Sequence, residues 1–333
     1  MPGGRLLTAI ACLTLVVALI AVEGFSQTTQ GRWHPLVALP GIVDVVGPRV
    51  DGRLVLATRG GLFLLRPGGT PQPFARGYVA AGGEPYVALA HGRRLASAGC
   101  SFRRDDVFAL DASSTPGVVR VEGKGRASRF ASFPTGAFPS GIAFDVVGRF
   151  GYRLLVTTVA RERTTLHAID CRGRSTPITR AGPSVEGGLA VAPESFGRFA
   201  GDLIAPDERT GRIFAFGPGG GVRLVVESGL PAGADVGVES IGFVPPRLGS
   251  RGTAYLADLG APGSPTEGTD SLLVLRGQEL ARARLRAGEL VTATEAGART
   301  LAIRCTRRCT IRRVAEGPAE AHGEGHITFV PGP

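Results

Sequence analysis

Asparagine does not occur in this 333-residue chain, and lysine occurs once, at Lys124. The positive charge is therefore almost all arginine, and the net charge is +10. A GC-rich coding bias accounts for such a composition as well as selection for anionic partners does. The arginines are spread over many turns. Their densest run, RCTRRCTIRR at 304–313, has no interleaved aromatics on which bases could stack. Nucleic acid is thus not an expected partner, whereas long-range attraction to an anionic envelope surface is. After residue 22 no stretch is long and apolar enough to span a bilayer. No segment sustains a helical hydrophobic period, which argues against a helical fold. G-x-S-x-G, H-E-x-x-H and an EF-hand loop are all absent. The GPGGG run at 217–221 lies between two strand-like segments. It reads as a hairpin turn and not as the strand-to-helix loop that cradles a phosphate.

Glycine and proline are plentiful, at 50 and 24 residues. They fall between short Val/Leu/Ala/Phe runs and read as frequent turns. One phrase organises the chain. At 187–218 it is GGLAVAPESFGRFAGDLIAPDERTGRIFAFGP, and at 140–170 it is SGIAFDVVGRFGYRLLVTTVARERTTLHAID. At 239–277 it begins ESIGFVPPRLGSRGTAYLADLG and ends, after a Gly/Pro-rich insertion, in SLLVLRG. Each copy is a short apolar strand, a turn containing Phe-Gly or Leu-Gly, a second strand and a third. A repeat of roughly 40–50 residues made of short strands is the signature of a β-propeller blade. The expected fold is all-β: a β-propeller of six blades of four antiparallel strands, spanning 36–333. Blade one starts at Ile42, blade two at Glu84, blade five at Glu239 and blade six at Leu290. Residues 288–333 are either an irregular last blade or a small β extension. Residues 278–287, where arginine alternates with alanine or leucine, read as an edge strand, and 25–35 as a polar linker.

Residues 1–24 have the form of a signal peptide or an N-terminal membrane anchor. Arg5 precedes an apolar run over 6–22, and small residues follow around Val22-Glu23-Gly24. A run of about 17 residues is at the lower edge for a membrane span, so cleavage and retention both stay open. Either way the expected localisation is secreted or cell-surface. In that setting the four cysteines beyond Cys12 permit two disulfides. Of the three pairings we expect Cys305–Cys309 as a local loop and Cys100–Cys171 between neighbouring blades. The competing reading is a zinc site on Cys305 and Cys309, completed by His322 and His326 with Glu324 between them.

The innermost strand of each propeller blade lines a central channel, and ligands bind at one mouth of it on rigidly held loops. Three inner strands are preceded by glutamate: Glu84 in GGEPYVALA, Glu186 in VEGGLAVAP and Glu239 in VESIGFVP. The equivalent position in blade three is Ser140. Carboxylates at one register converge and repel, so they need a cation, protonation or arginine partners. Oxygen-only ligands suit calcium or magnesium. Second strands end in a further acidic set, Asp207 and Glu208 in APDERTG and Asp258 in LADLG. These face the same mouth or serve as turn residues. The candidate metal ligands are therefore Glu84, Glu186, Glu239, Asp207 and Asp258. His91 and His167, in or beside strands, read as packed or hydrogen-bonded residues.

The phrases EPYVALA and FAGDLIAPDERTGRIFAFGP resemble those of the NHL-repeat and gluconolactonase-like six-bladed propellers, over most of 36–277. The resemblance implies a divalent cation held at the channel mouth by a glutamate, asparagines and an aspartate. Glu186 or Glu239 would match the glutamate and Asp258 the aspartate. A chain without asparagine does not carry that ligand set intact, so a standard lactonase is not expected. The leading expectation is an exported, monomeric propeller that binds a small molecule, or a protein or envelope partner, at its channel mouth, with calcium as the candidate cofactor. The alternative is a metal-dependent hydrolase of lactonase or phosphoesterase type, with Glu239 as the catalytic base.

Overall fold

Leu54–Thr58, Val107–Asp111 and Leu203–Asp207 are buried along their whole length, without the in–out alternation of a strand that has one wet face. Strands that read this way are covered on both faces. They are the second strands of sheets that stack face to face around a central axis, in a computed structural model that describes residues 30–75 and 77–332. Blade 1 comprises Ile42–Val46, Leu54–Thr58, Gly61–Leu65 and Gln72–Phe74. Blade 2 comprises Val87–Leu89, Val107–Asp111, Gly117–Val121 and Ala127–Ser132, with a small hairpin, Arg94–Leu95 and Cys100–Ser101, inserted after its first strand. Blade 3 is Phe138–Phe144, Leu154–Ala160, Arg163–Ile169 and Ser175–Gly182, and blade 4 is Ala190–Val191, Leu203–Asp207, Arg212–Phe216 and Val222–Glu227. The remaining strands form one nine-stranded sheet, whose two halves meet at a single parallel bridge between Ile241 and His326. We call the halves blades 5 and 6.

The core lies between blades and not within one. Val55, Ala57, Leu62 and Leu64 of blade 1 pack on Val87, Leu89, Val107 and Ala109 of blade 2. Leu155, Leu166 and Ala168 of blade 3 pack on Leu189, Val191, Leu203 and Phe216 in and beside blade 4. Ile42, Val45, Leu54 and Leu56 pack on Tyr255, Ala257, Leu272 and Val274 of blade 6, which closes the ring. Outer strands such as Gln72–Phe74 and Val222–Glu227 have only one covered face and are correspondingly exposed.

Blades 5 and 6 depart from the order expected from the sequence. Val238–Phe243 is the inner strand of blade 5, but the chain then supplies Thr253–Asp258 and Ser271–Arg276 to blade 6. It returns to blade 5 as Leu290–Thr294, Thr300–Cys305 and Cys309–Glu316, and ends the crossing as Gly323–Val330, the inner strand of blade 6. The phrase at 239–277 is therefore not one blade, and 288–316 is neither a last blade nor a separate extension. The return is made by a helix, Gly277–Ala283, where an edge strand was expected. Leu280 and Ala283, three residues apart, bury one helical face in the core of blades 5 and 6.

The described part of the expected linker is also structured. Gly31–Arg32 edges blade 5 in parallel with Cys309–Glu316, and His34–Ala38 is the outer strand of blade 6. Trp33 between them is buried, and its indole N–H donates to Thr300 Oγ1 at 2.8 Å. The expected export segment, 1–24, lies outside the described residues.

Both expected disulfides are formed. Cys100, in the inserted hairpin of blade 2, joins Cys171 in blade 3, and Cys305 joins Cys309 across a turn. With those sulfurs paired, the zinc reading fails. No helix among the described residues is long and apolar enough to cross a membrane.

Candidate functional site

The six inner strands run the same way. Their C-terminal ends, from Val46, Leu89, Phe144 and Val191 to Phe243 and Phe329, line one apolar cavity. Their N-terminal ends bring carboxylates together at the other mouth. Glu239 and Glu324 are each the second residue of their inner strands, in blades 5 and 6, while Glu84 and Glu186 sit just before those of blades 2 and 4. Glu208 and Glu295 follow the second strands of blades 4 and 5. Gly187 permits the close approach: at φ +89°, a Cβ there would lie 2.2 Å from Glu239 Cγ.

Tyr86 stands at the centre of this cluster, and its side chain is buried. Its hydroxyl is within hydrogen-bond distance of Glu84 Oε2 (2.9 Å), Glu324 Oε2 (2.8 Å) and Glu239 Oε1. A phenol has one hydrogen to donate. The other two contacts therefore require a protonated carboxyl, or a cation in place of the protons. Glu84, Glu239 and Glu324 each offer an oxygen within 4.8 Å of the others, as do Glu208, Glu239 and Glu295. His322 is buried beside them, with Nε2 at 3.3 Å from Glu295 Oε1 and 3.4 Å from Glu324 Oε1. Its Nδ1 faces the Thr266 carbonyl at 3.0 Å.

Burial and mutual repulsion hold Glu84, Glu186, Glu208, Glu239 and Glu324 above the usual carboxylate range. Burial and the neighbouring Glu84 push Glu186 up to about 7, burial and the facing Glu295 push Glu208 up to about 9, and burial with Glu84 pushes Glu324 up to about 8. Glu239 and Glu84 are raised by burial in the same direction. Burial works against charge on His322, but its hydrogen bonds to Glu295 and Glu324 prevail and push it up to about 10. One imidazolium does not balance so many carboxyls. Glu295 Oε2 is buried without a hydrogen-bond partner. An all-carboxylate donor set with an orphaned oxygen fits a hard divalent cation of the calcium class.

Not every residue expected at the mouth belongs to the cluster. Asp207 accepts from the Arg209 N–H (3.1 Å), the Thr210 N–H (3.3 Å) and the Thr210 hydroxyl (2.6 Å), which pins a hairpin turn. Asp258 accepts the His322 N–H at 2.7 Å and the Thr269 hydroxyl at 2.5 Å, and so places the imidazole without facing the centre itself. Ser140 donates to Thr157 Oγ1 at 3.1 Å. Glu295, Tyr86 and Asp235, the last with an oxygen within 4.8 Å of ligand atoms of Glu295 and His322, carry no repeat signal. Glu295 becomes legible only once Leu290–Thr294 is recognised as a second strand, equivalent to the one that precedes Glu208.

Solved β-propellers of lyase and lactonase type are similar to this chain. A virginiamycin B lyase from Staphylococcus aureus shares 12% identity over 84% of this chain and 73% of its own, with a TM-score of 0.48. A streptogramin B lyase shares 12% over 89% and 90%, at 0.47, and a putative gluconolactonase 17% over 68% and 71%, at 0.41. No family model and no curated protein matches the chain.

The channel is divided midway. His326 Nδ1 lies 2.9 Å from Asp44 Oδ2, and Nε2 lies 3.1 Å from the Ile142 carbonyl. Gly325 makes this possible at φ +64°, since a Cβ there would sit 2.5 Å from Asp44 Oδ1. Asp44 is anchored in turn by the backbone N–H groups of Val45, Val87 and His326, each at 2.8 Å. Beyond this divider lies the apolar cavity, of about 260 Å³.

Proposed function

We propose that the protein is a cation-binding β-propeller whose acidic mouth holds calcium or a similar hard divalent ion and, through it, a small oxygen-bearing ligand. The observation that carries this reading is the proton count at Tyr86: one hydroxyl hydrogen serves three carboxyl oxygens. When bound, the ion supplies a Lewis-acidic centre that attracts ligand oxygens. The chain's residues do the rest. Glu84, Glu239 and Glu324 are the candidate ligands, and the Tyr86 hydroxyl orients them. His322, kept cationic by Glu295 and Glu324, offsets part of their charge. Glu186 and Glu208, half-buried, with Asp235, exposed, form the entrance a ligand passes. The disulfides and the 6–22 segment support an extracytoplasmic setting for this binding, with the chain acting as a monomer.

The hydrolase reading is the weaker one. Glu239 is buried against Glu324, and burial with that neighbouring charge raises its carboxyl well above the ordinary range, which favours the protonated form where a base must accept a proton.

Calorimetric titration of chelator-treated protein with calcium at pH 7.5 tests the proposal. We expect a sub-millimolar Kd, a raised Tm, and at least a tenfold weaker Kd in Glu239→Gln and Glu324→Gln. Absence of heat and of any Tm shift with calcium, magnesium and manganese would end this reading.

A further inference from the structure

We propose that the end of the propeller opposite the acidic mouth is a docking surface for anionic lipid headgroups. Charge is sorted between the two ends. The loops beyond the C-terminal ends of the inner strands are 47–53, 66–71, 90–106, 122–126, 145–153, 170–174, 192–202, 217–221, 244–252, 277–289 and 306–308. Together they carry 21 Arg and Lys against 10 Asp and Glu. The loops at the acidic mouth are 59–60, 75, 77–86, 112–116, 133–137, 161–162, 183–189, 208–211, 228–237, 259–270, 295–299 and 317–322. Their described residues carry 4 against 9. The chain's surplus of arginine is thus gathered on one face, as charge complementarity to an anionic plane requires.

Both disulfides brace this face. Cys305–Cys309 closes the turn that presents Arg307 and Arg308, both exposed and without a carboxylate at ion-pair distance among the described residues. Cys100–Cys171 ties the hairpin bearing Arg94, with Arg93, Arg103 and Arg104 beside it, to blade 3. Val50 and Val146 are exposed in loops at the same end, at 66% and 47%.

A further observation favours a membrane over a soluble polyanion as the occupant. Gly31–Arg32 runs parallel to Cys309–Glu316, with Gly31 opposite Ala315. The chain therefore enters its first strand from the Cys309 side, which is the arginine side. Gly31 lies six residues along from Cys309, about 20 Å. The eight residues 23–30 span up to about 27 Å, enough to place the apolar run 6–22 at this face.

Partition of the full chain into vesicles tests the proposal, read as the ratio of binding to phosphatidylglycerol-containing vesicles over phosphatidylcholine vesicles. That ratio cancels the charge-independent contribution of the apolar run. Arg307→Glu with Arg308→Glu should lower it about 25-fold, roughly fivefold per arginine at low salt. Arg161→Glu with Arg209→Glu, the same charge change at the acidic mouth, should lower it less than threefold. Arg93→Glu with Arg94→Glu, on the separately braced hairpin, should repeat the first result if the first variant melts early. Equal losses at both ends, no loss at either, or a preference that survives 1 M salt would overturn the proposal. So would retention by immobilised polyphosphate without any phosphatidylglycerol preference. None of these readouts depends on calcium binding.

Discussion

The two ends of the channel are made by the same six strands, yet one gathers carboxyls and the other lines its cavity mainly with aliphatic and aromatic side chains, His91 and Thr328 apart. The acidic end is built from residues at or before strand starts: Glu84, Glu186, Glu239 and Glu324. The apolar end is built from residues inside strands or at their ends, Leu89, Val191 and Phe243 among them. Residues at strand starts and in the loops before them have fewer ladder partners and can be placed to converge, whereas residues deeper in the strands are committed to inter-blade packing. His326 and Asp44 keep the two environments apart. The ionisable side chains stand where the packing requirement is weakest.

Crossing that division should be costly. The largest effect is expected for Val191→Asp, which buries a carboxylate in the apolar core between blades 3 and 4. We expect a loss of about 3 kcal/mol or more, read from the urea midpoint. Removing the brace of the arginine end, with Cys100→Ser and Cys171→Ser together, should cost about 2–4 kcal/mol and leave calcium affinity unchanged. A matching loss of calcium affinity would show that the ends are mechanically coupled.

The acidic end should also set the pH response. In the folded chain Glu186, Glu324 and Glu208 titrate at about 7, 8 and 9, against 4.5 for the free side chain. Between those limits the folded state holds more protons than the unfolded one. Their contribution to stability is complete below about pH 4.5 and is lost as pH rises through 7 to 9. His322, at about 10 against 6.5, adds with the same sign. The Tm of the metal-free chain should therefore fall from pH 6 to pH 9, and saturating calcium should flatten the fall. A flat profile without metal would contradict the proton count at Tyr86.

Smaller effects sharpen the same contrast. Glu239→Gln removes a carboxyl whose charge burial and Glu324 oppose, so at pH 8 without metal it should stabilise the chain by about 1 kcal/mol while weakening calcium binding. His326→Gln leaves Asp44 its three backbone donors and should cost only about 1 kcal/mol. Its thermal melt and its calcium isotherm should both stay near those of the unmodified chain if the divider insulates the two ends.

The blade pattern was legible from 42 to 227 because each phrase there is one blade with its strands in order. It failed after Glu239 because strand order along the chain carries no record of which sheet a strand joins. The helix at Gly277–Ala283, hidden in an alternating Arg/Ala stretch, makes the return between blades. Glu84, Glu186 and Glu239 were legible as a register. Glu295 was not, because it depends on the interleaved blade, nor was Tyr86, which reads as an ordinary strand aromatic. His322 drew notice as a zinc ligand, together with His326 and with Glu324 between them, in a reading that fails because Cys305 and Cys309 bond to each other.

Interleaving has a consequence for cooperativity. Neither blade 5 nor blade 6 can form without strands whose chain neighbours belong to the other, so 238–330 is one folding unit where two were expected. Glu239, Glu295, His322 and Glu324 all lie in it. A local opening of that unit takes Glu239, Glu295, His322 and Glu324 out of the acidic centre at once, and a ligand that gathers those carboxyls latches two blades in a single event. Amide exchange across 238–330 should then slow as a block when the centre is filled.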